Sequence, residues 1–109
     1  MLTDFYPGTT KAFSVIVTFN GTPPDISGDV VTFFLKRSPD DTDAGAAIVK
    51  VADVATSGAS GTAIVGLSPA DTAIAPRTYH YDIVWVRSTG EEYVLARGVV
   101  KVLDRVSDV

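Results

Sequence analysis

The chain contains no cysteine, which excludes disulfides and thiolate metal centres from its design. It has a single histidine, too few for a multi-histidine metal site. No stretch approaches the roughly 20 apolar residues that a membrane helix needs. The N-terminus, MLTDFYPGTT, has no basic segment followed by an apolar run, so neither a signal peptide nor a spanning segment is expected, and synthesis in the cytoplasm is. Basic charge is scarce as well: 9 Lys and Arg stand against 13 Asp and Glu, a net charge of −4. Nucleic acid and anionic membrane demand a clustered basic face, and neither is an expected partner.

What is present is the material of one folded unit. The 109 residues are 46% hydrophobic and 20% charged, enough for one core and too few for two domains. Residues 1–10 read as an arm, 11–104 as a single domain and 105–109 as a tail. Along the body, apolar residues recur every second position, the period of a strand with one buried face. Phe13, Val15, Val17 and Phe19 share a face, as do Val31, Phe33 and Leu35, and then Ala63, Val65 and Leu67. Between these runs lie NGTPPDISG, SPDDTDAGA and SGASG, whose Gly, Pro, Asn and Asp mark turns and loops; Ile26 is the one residue of the first expected to tuck under a sheet. Ala47–Val51 reads as a short strand. Glu92–Leu103 reads as the last, with Val94, Ala96, Gly98, Val100 and Val102 inward unless a bulge at Gly98 exchanges the faces.

The organising stretch is Leu67–Val86, LSPADTAIAPRTYHYDIVWV. Ser68 suits a helix N-cap, Pro69 the first helical position and Asp71 the positive end, so one short helical turn is expected before Pro76. From Thr78 the period becomes two, with Tyr79, Tyr81, Ile83 and Trp85 on one face and His80, Asp82, Val84 and Val86 on the other. A short turn feeding a strand that begins with Tyr is how the E-to-F corner of an immunoglobulin-like sandwich reads, its hydroxyl bonding back to the corner. The expected fold is all-β: an immunoglobulin-like antiparallel sandwich of about seven strands with one short helical turn. Tyr79, Tyr81, Trp85 and Phe33 are its expected corner and core, with Val17 and Phe33 lying near Trp85.

Reactive constellations are missing. His80 and Asp82 share a strand face but have no nucleophile beside them. Asp40, Asp41, Asp43 and Gly45 imitate a calcium loop, yet Gly45 comes one residue early and Ala52 stands where the bidentate acid belongs. Glu91 and Glu92 sit on a hairpin turn with no second acid announced across a cleft. The aromatic series Tyr79, Tyr81, Trp85 and Tyr93 suits a core better than a ligand platform. No enzyme, cofactor or metal is therefore expected. The informative residues are Ile16, Phe34, Val84 and Val86, apolar on faces where a monomer places polar groups. If they converge, they form an interface unless the arm with Phe5 and Tyr6 covers them.

The order of these segments carries a resemblance. NGTPPDISG leading into DVVTFFLKR, the acidic PDDTDAGAAIVK, GTAIVGLSPADTA and RTYHYDIVWVRSTGEEYVLARGVVKVL together resemble small phage virion proteins similar to the N-terminal domain of phage baseplate upper proteins, over nearly the whole chain. Arg77 stands where such sequences commonly have Gly. The resemblance implies a non-catalytic structural or adaptor protein of a phage or prophage tail, baseplate or head. Such a protein is assembled in the host cytoplasm and resides in the virion, joined to other virion proteins and to further copies of itself. The alternative from a different class is a carbohydrate-binding or adhesin-type sandwich.

Overall fold

The computed structural model describes residues 4–19, 21–38, 40, 45–55 and 58–103. Strands β1 (Lys11–Ile16), β2 (Val30–Lys36), β3 (Ile48–Val51), β4 (Thr62–Leu67), β5 (Arg77–Val86) and β6 (Glu92–Val102) form two antiparallel sheets. One is the pair β1-β4 and the other runs β3-β2-β5-β6. The chain is thus an all-β antiparallel sandwich, with six strands among the described residues where about seven were expected, and an isolated parallel bridge from Phe5 to Val102 beside β6.

The period of two explains the core. Phe13, Val15 and Val17 from the first sheet's side meet Val31, Phe33, Leu35, Ile83 and Trp85 from the other, all buried. Ala63, Val65 and Leu67 complete the face of β4, and Ile26 from the connecting loop is fully buried beneath them. Fully burying a side chain of this size contributes about 1.5–3 kcal/mol, so the alternation alone commits the chain to two layers.

The corner before β5 is built from side-chain bonds. Ser68 Oγ accepts the Asp71 N–H at 3.2 Å, and Asp71 Oδ2 accepts the Ser68 N–H at 2.8 Å, a reciprocal cap. Thr72 N–H bonds to the Ser68 carbonyl, and only tighter bonds follow, Ala73 N–H to the Ala70 carbonyl and Ile74 N–H to the Thr72 carbonyl. The helical turn expected here is therefore a lone capped turn. A 3-10 turn stands at Gly58–Ser60, where an ordinary turn was expected. Pro76 ends the segment and Tyr79 locks it: its hydroxyl donates to the Ala75 carbonyl at 2.7 Å, and the residue is 1% exposed. Lys50, on β3, reaches the same turn and pairs with Asp71 at 3.0 Å.

In β6 the facing differs from simple alternation. Its register against β5 passes from Ile83–Ala96 to Val84–Val94, leaving Leu95 as an extra residue. That bulge turns Val94 outward, 58% exposed, and brings Tyr93 in beside Trp85. Gly98 is not the bulge. A Cβ there would lie 2.8 Å from the Tyr81 ring, so its missing side chain is what admits that ring between the strands.

The arm is a structural part of the sandwich. Phe5 N–H donates to the Lys101 carbonyl, the Phe5 carbonyl accepts from Leu103 N–H, and the ring is buried in the core. Thr72, the buried polar side chain of the corner, donates to the Thr9 carbonyl at 2.6 Å.

Two outcomes are expected. Tyr79→Phe removes a buried hydrogen bond and should cost about 1 kcal/mol, read as a lower urea midpoint with an unchanged slope; an unmoved midpoint assigns the corner no energetic role. For Asp71, the Ser68 N–H and then Lys50 hold the carboxyl below its ordinary value. Its stabilisation is complete above the unfolded value of about 3.9 and fades as pH falls through the lower folded value. Asp71→Asn should therefore flatten the acid limb of stability below about pH 4; an acid limb of unchanged steepness contradicts the assignment.

Candidate interaction surface

The outer face of the four-stranded sheet is where the unexplained apolar residues lie. The register places Val51, Thr32, Val84 and Val94 in one row that crosses all four strands. Val86 and Val30 pair on one side of that row, and Val49 and Phe34 on the other. Val30, Val49, Val51 and Val94 are each about half exposed or more, at 48%, 52%, 62% and 58%. Phe34, Val84 and Val86 are half-buried. An antiparallel sheet that faces water ordinarily alternates to polar residues on that side, and this valine-rich face departs from that pattern.

Of the four residues expected to converge, three do. Phe34, Val84 and Val86 share this face, whereas Ile16, 70% exposed, lies on β1 in the other layer. Alternation tells which residues point away from the core, and pairing decides to which sheet they belong. The alternative cover is also corrected: the described arm runs along β6 with Phe5 in the core and does not lie over the valine face. Val49, Val51 and Val94 were missed because β3 is short and β6 is bulged, whereas Val30 reads as outward from alternation and was left out of the expected patch. The pattern that could have found them is the run of β-branched residues on both faces of β2, β3 and β5.

One end of the face is polar. Lys36 pairs in register with His80, and Asp82 with Arg97. Lys36, His80, Tyr81, Asp82 and Arg97 line a recess of only about 30 Å³. Asp82 Oδ1 is buried without a hydrogen-bond partner. The recess brings an imidazole and a carboxylate near two cations, and no serine, threonine or cysteine lines it. Among the described residues no three His, Cys, Asp or Glu side chains come together as metal ligands. Asp41 and Asp43 of the acidic loop lie outside the described residues, Asp40 and Gly45 are exposed, and Ala52 is buried. No helix among the described residues is long and apolar enough to cross a membrane.

The aromatic residues are committed elsewhere. Trp85, 2% exposed, packs edge-on to Phe19 at 6.1 Å and against Tyr93 at 5.3 Å. Phe33 instead meets Phe13 and Tyr81. The Arg87 guanidinium lies over both Phe19 and Trp85, at 5.3 and 5.4 Å, closing the end of the stack. Glu91 sits beside it and accepts the Tyr93 hydroxyl at 2.6 Å and the Thr89 hydroxyl at 3.0 Å. Those two bonds, then Arg87, hold the Glu91 carboxyl below its ordinary value, and the same Glu91 bond raises Tyr93. Glu92, exposed, opens β6 opposite Val86. Glu91 thus caps the aromatic stack.

Comparison with known proteins finds no counterpart: no protein-family model, curated protein or solved structure matches the chain.

Behind the valine face, Asp29 anchors the strand that bears it. Its two carboxylate oxygens accept Trp85 Nε1–H at 2.8 Å and Ser88 N–H at 2.9 Å. Asp29→Ala strands the indole donor and should cost about 1–3 kcal/mol, with the tryptophan emission still blue-shifted because the ring stays packed. Emission at the wavelength of free tryptophan in the folded variant contradicts that placement.

Proposed function

We propose that this chain is a non-catalytic structural or adaptor protein of a phage or prophage particle, at its tail, baseplate or head attachment, and that it works by protein–protein contact. The observation that carries this reading is the row Val51, Thr32, Val84 and Val94 across the whole four-stranded sheet, flanked by Phe34, Val49, Val30 and Val86. It supports a docking surface for another virion protein because apolar area of this kind becomes favourable only when water is removed from it. The resemblance of the ordered segments to phage baseplate upper proteins supplies the setting. The carbohydrate-binding reading receives no such support, since Trp85 and Tyr79 are buried and Arg87 covers the open end of the aromatic stack.

The test is incorporation. In a lysogen or infected host encoding the chain, it should co-sediment with purified particles in fixed ratio to the major structural proteins. Val84→Lys, placed in the middle of the row, should remain folded with a urea midpoint near that of the wild type and be depleted at least tenfold from particles. Particles lacking the wild-type chain, or incorporating Val84→Lys equally well, would overturn the proposal.

A further inference from the structure

Each sheet of an open sandwich has edges, and an edge strand presents unpaired N–H and C=O groups unless something blunts it. Three of the four edges here are blunted. The outer side of β6 is tied to the arm at Lys101 and Leu103 and broken by the Leu95 bulge. The outer side of β4 is closed at Ile64, which exchanges two bonds with Asp53. Strand β3 is only four residues long.

Among the described residues, strand β1 has none of these devices. Val17 N–H bonds to the Gly61 carbonyl, which continues the β1-β4 register and identifies Lys11–Leu67, Phe13–Val65 and Val15–Ala63 as the hydrogen-bonded pairs. The alternate residues Ala12, Ser14 and Ile16 therefore turn their backbone N–H and C=O away from β4, towards the open edge, and all three are exposed. The segment KAFSVI holds no proline and no bulge, and its one charge on the inward parity, Lys11, stands at the first residue of the strand, outside the stretch 12–16. Ile16, at 70%, is the most exposed large apolar residue described.

We infer that the β1 edge pairs with the β1 edge of a second copy of this chain, antiparallel about a two-fold axis at Ser14, making a continuous sheet β4-β1-β1-β4 across the dimer. The register argues for a second copy as the occupant. With Ser14 facing Ser14 of the second copy, Ala12 faces Ile16 and Ile16 faces Ala12, so the three outward residues exchange N–H···O bonds with no donor or acceptor left over. Side chains fit in the same register: the large Ile16 lies beside the small Ala12, and the two Ser14 hydroxyls meet at the axis. The Lys11 charges lie at opposite ends, about 20 Å apart for a strand of this length, so like charges do not oppose each other. The contact is isologous and closes at two copies. It leaves the valine face, on the other layer of the sandwich, free for a different protein.

Sedimentation equilibrium over a wide concentration range, joined to residue-resolved amide exchange, decides the matter. A reversible monomer–dimer equilibrium is expected, with the Ala12, Ser14 and Ile16 amides gaining protection as dimer forms while Phe13 and Val15 are protected throughout. Ser14→Pro deletes an outward N–H and Ile16→Lys charges the edge; both positions face solvent, and each variant should sediment as monomer. Val84→Lys should dimerise like the wild type. The inference is overturned by a wild type that stays monomeric with fast exchange at all three amides, by a dimer that survives both edge substitutions or is lost in Val84→Lys, or by growth beyond the dimer.

Discussion

The bond from the Tyr79 hydroxyl to the Ala75 carbonyl settles where the chain leaves the two-stranded sheet and with what parity it enters the other. A strand shifted by one residue presents its opposite face. Begun at this parity, β5 sends Tyr79, Ile83 and Trp85 inward and Val84 and Val86 outward. Every paired strand inherits that decision through its register: Val31 follows Trp85, Leu35 follows Tyr81, and Val30 follows Val86. The corner is fastened by Thr72, the Ser68–Asp71 cap and the reach of Lys50 from β3. Elements distant in sequence thus depend on one turn.

The division of labour between layers has a chemical basis. Without cysteine there is no covalent link between sheets, and the middle of the sandwich is filled by rings: Phe33 on Phe13, Tyr81 against Gly98, and Trp85 among Phe19, Tyr93 and Arg87. Such a core is indifferent to redox potential. With Trp85 and its ring neighbours held inside, the surface keeps a valine-rich field with Phe34 at its side on one layer and an open strand edge on the other. The two proposed contacts divide between these layers.

Much of the fold could be read from alternation. The inward sets of β1, β2, β4 and β5 follow from counting by two, and the corner follows from Ser68, Asp71, Pro76 and Tyr79. Three features could not be read that way. The Leu95 bulge lets Tyr93 of β6 stack on Trp85 of the partner strand, and no glycine or proline at 94–96 announces it. Ile16 and Val84 are equally apolar and equally outward, and only strand order sends them to different layers. The arm looked like a lid because Phe5 and Tyr6 are apolar, yet Phe5 finds a place in the core at the side of β6. The surface was therefore half legible: which residues point out was available, and which of them are neighbours was not.

The attachment of the arm has a mechanical side. Phe5 runs parallel to Val102 and is bonded through both its N–H and its C=O to residues flanking that position. Opposed loads on the two ends of the described chain act along these strands, so the Phe5 bonds are strained together in shear and cannot open one at a time. Forced unfolding is set by the barrier to that first rupture, whatever the equilibrium stability. A domain fastened in this way transmits tension from its first described residues directly to its last strand, and the rest of the sandwich carries little of the load.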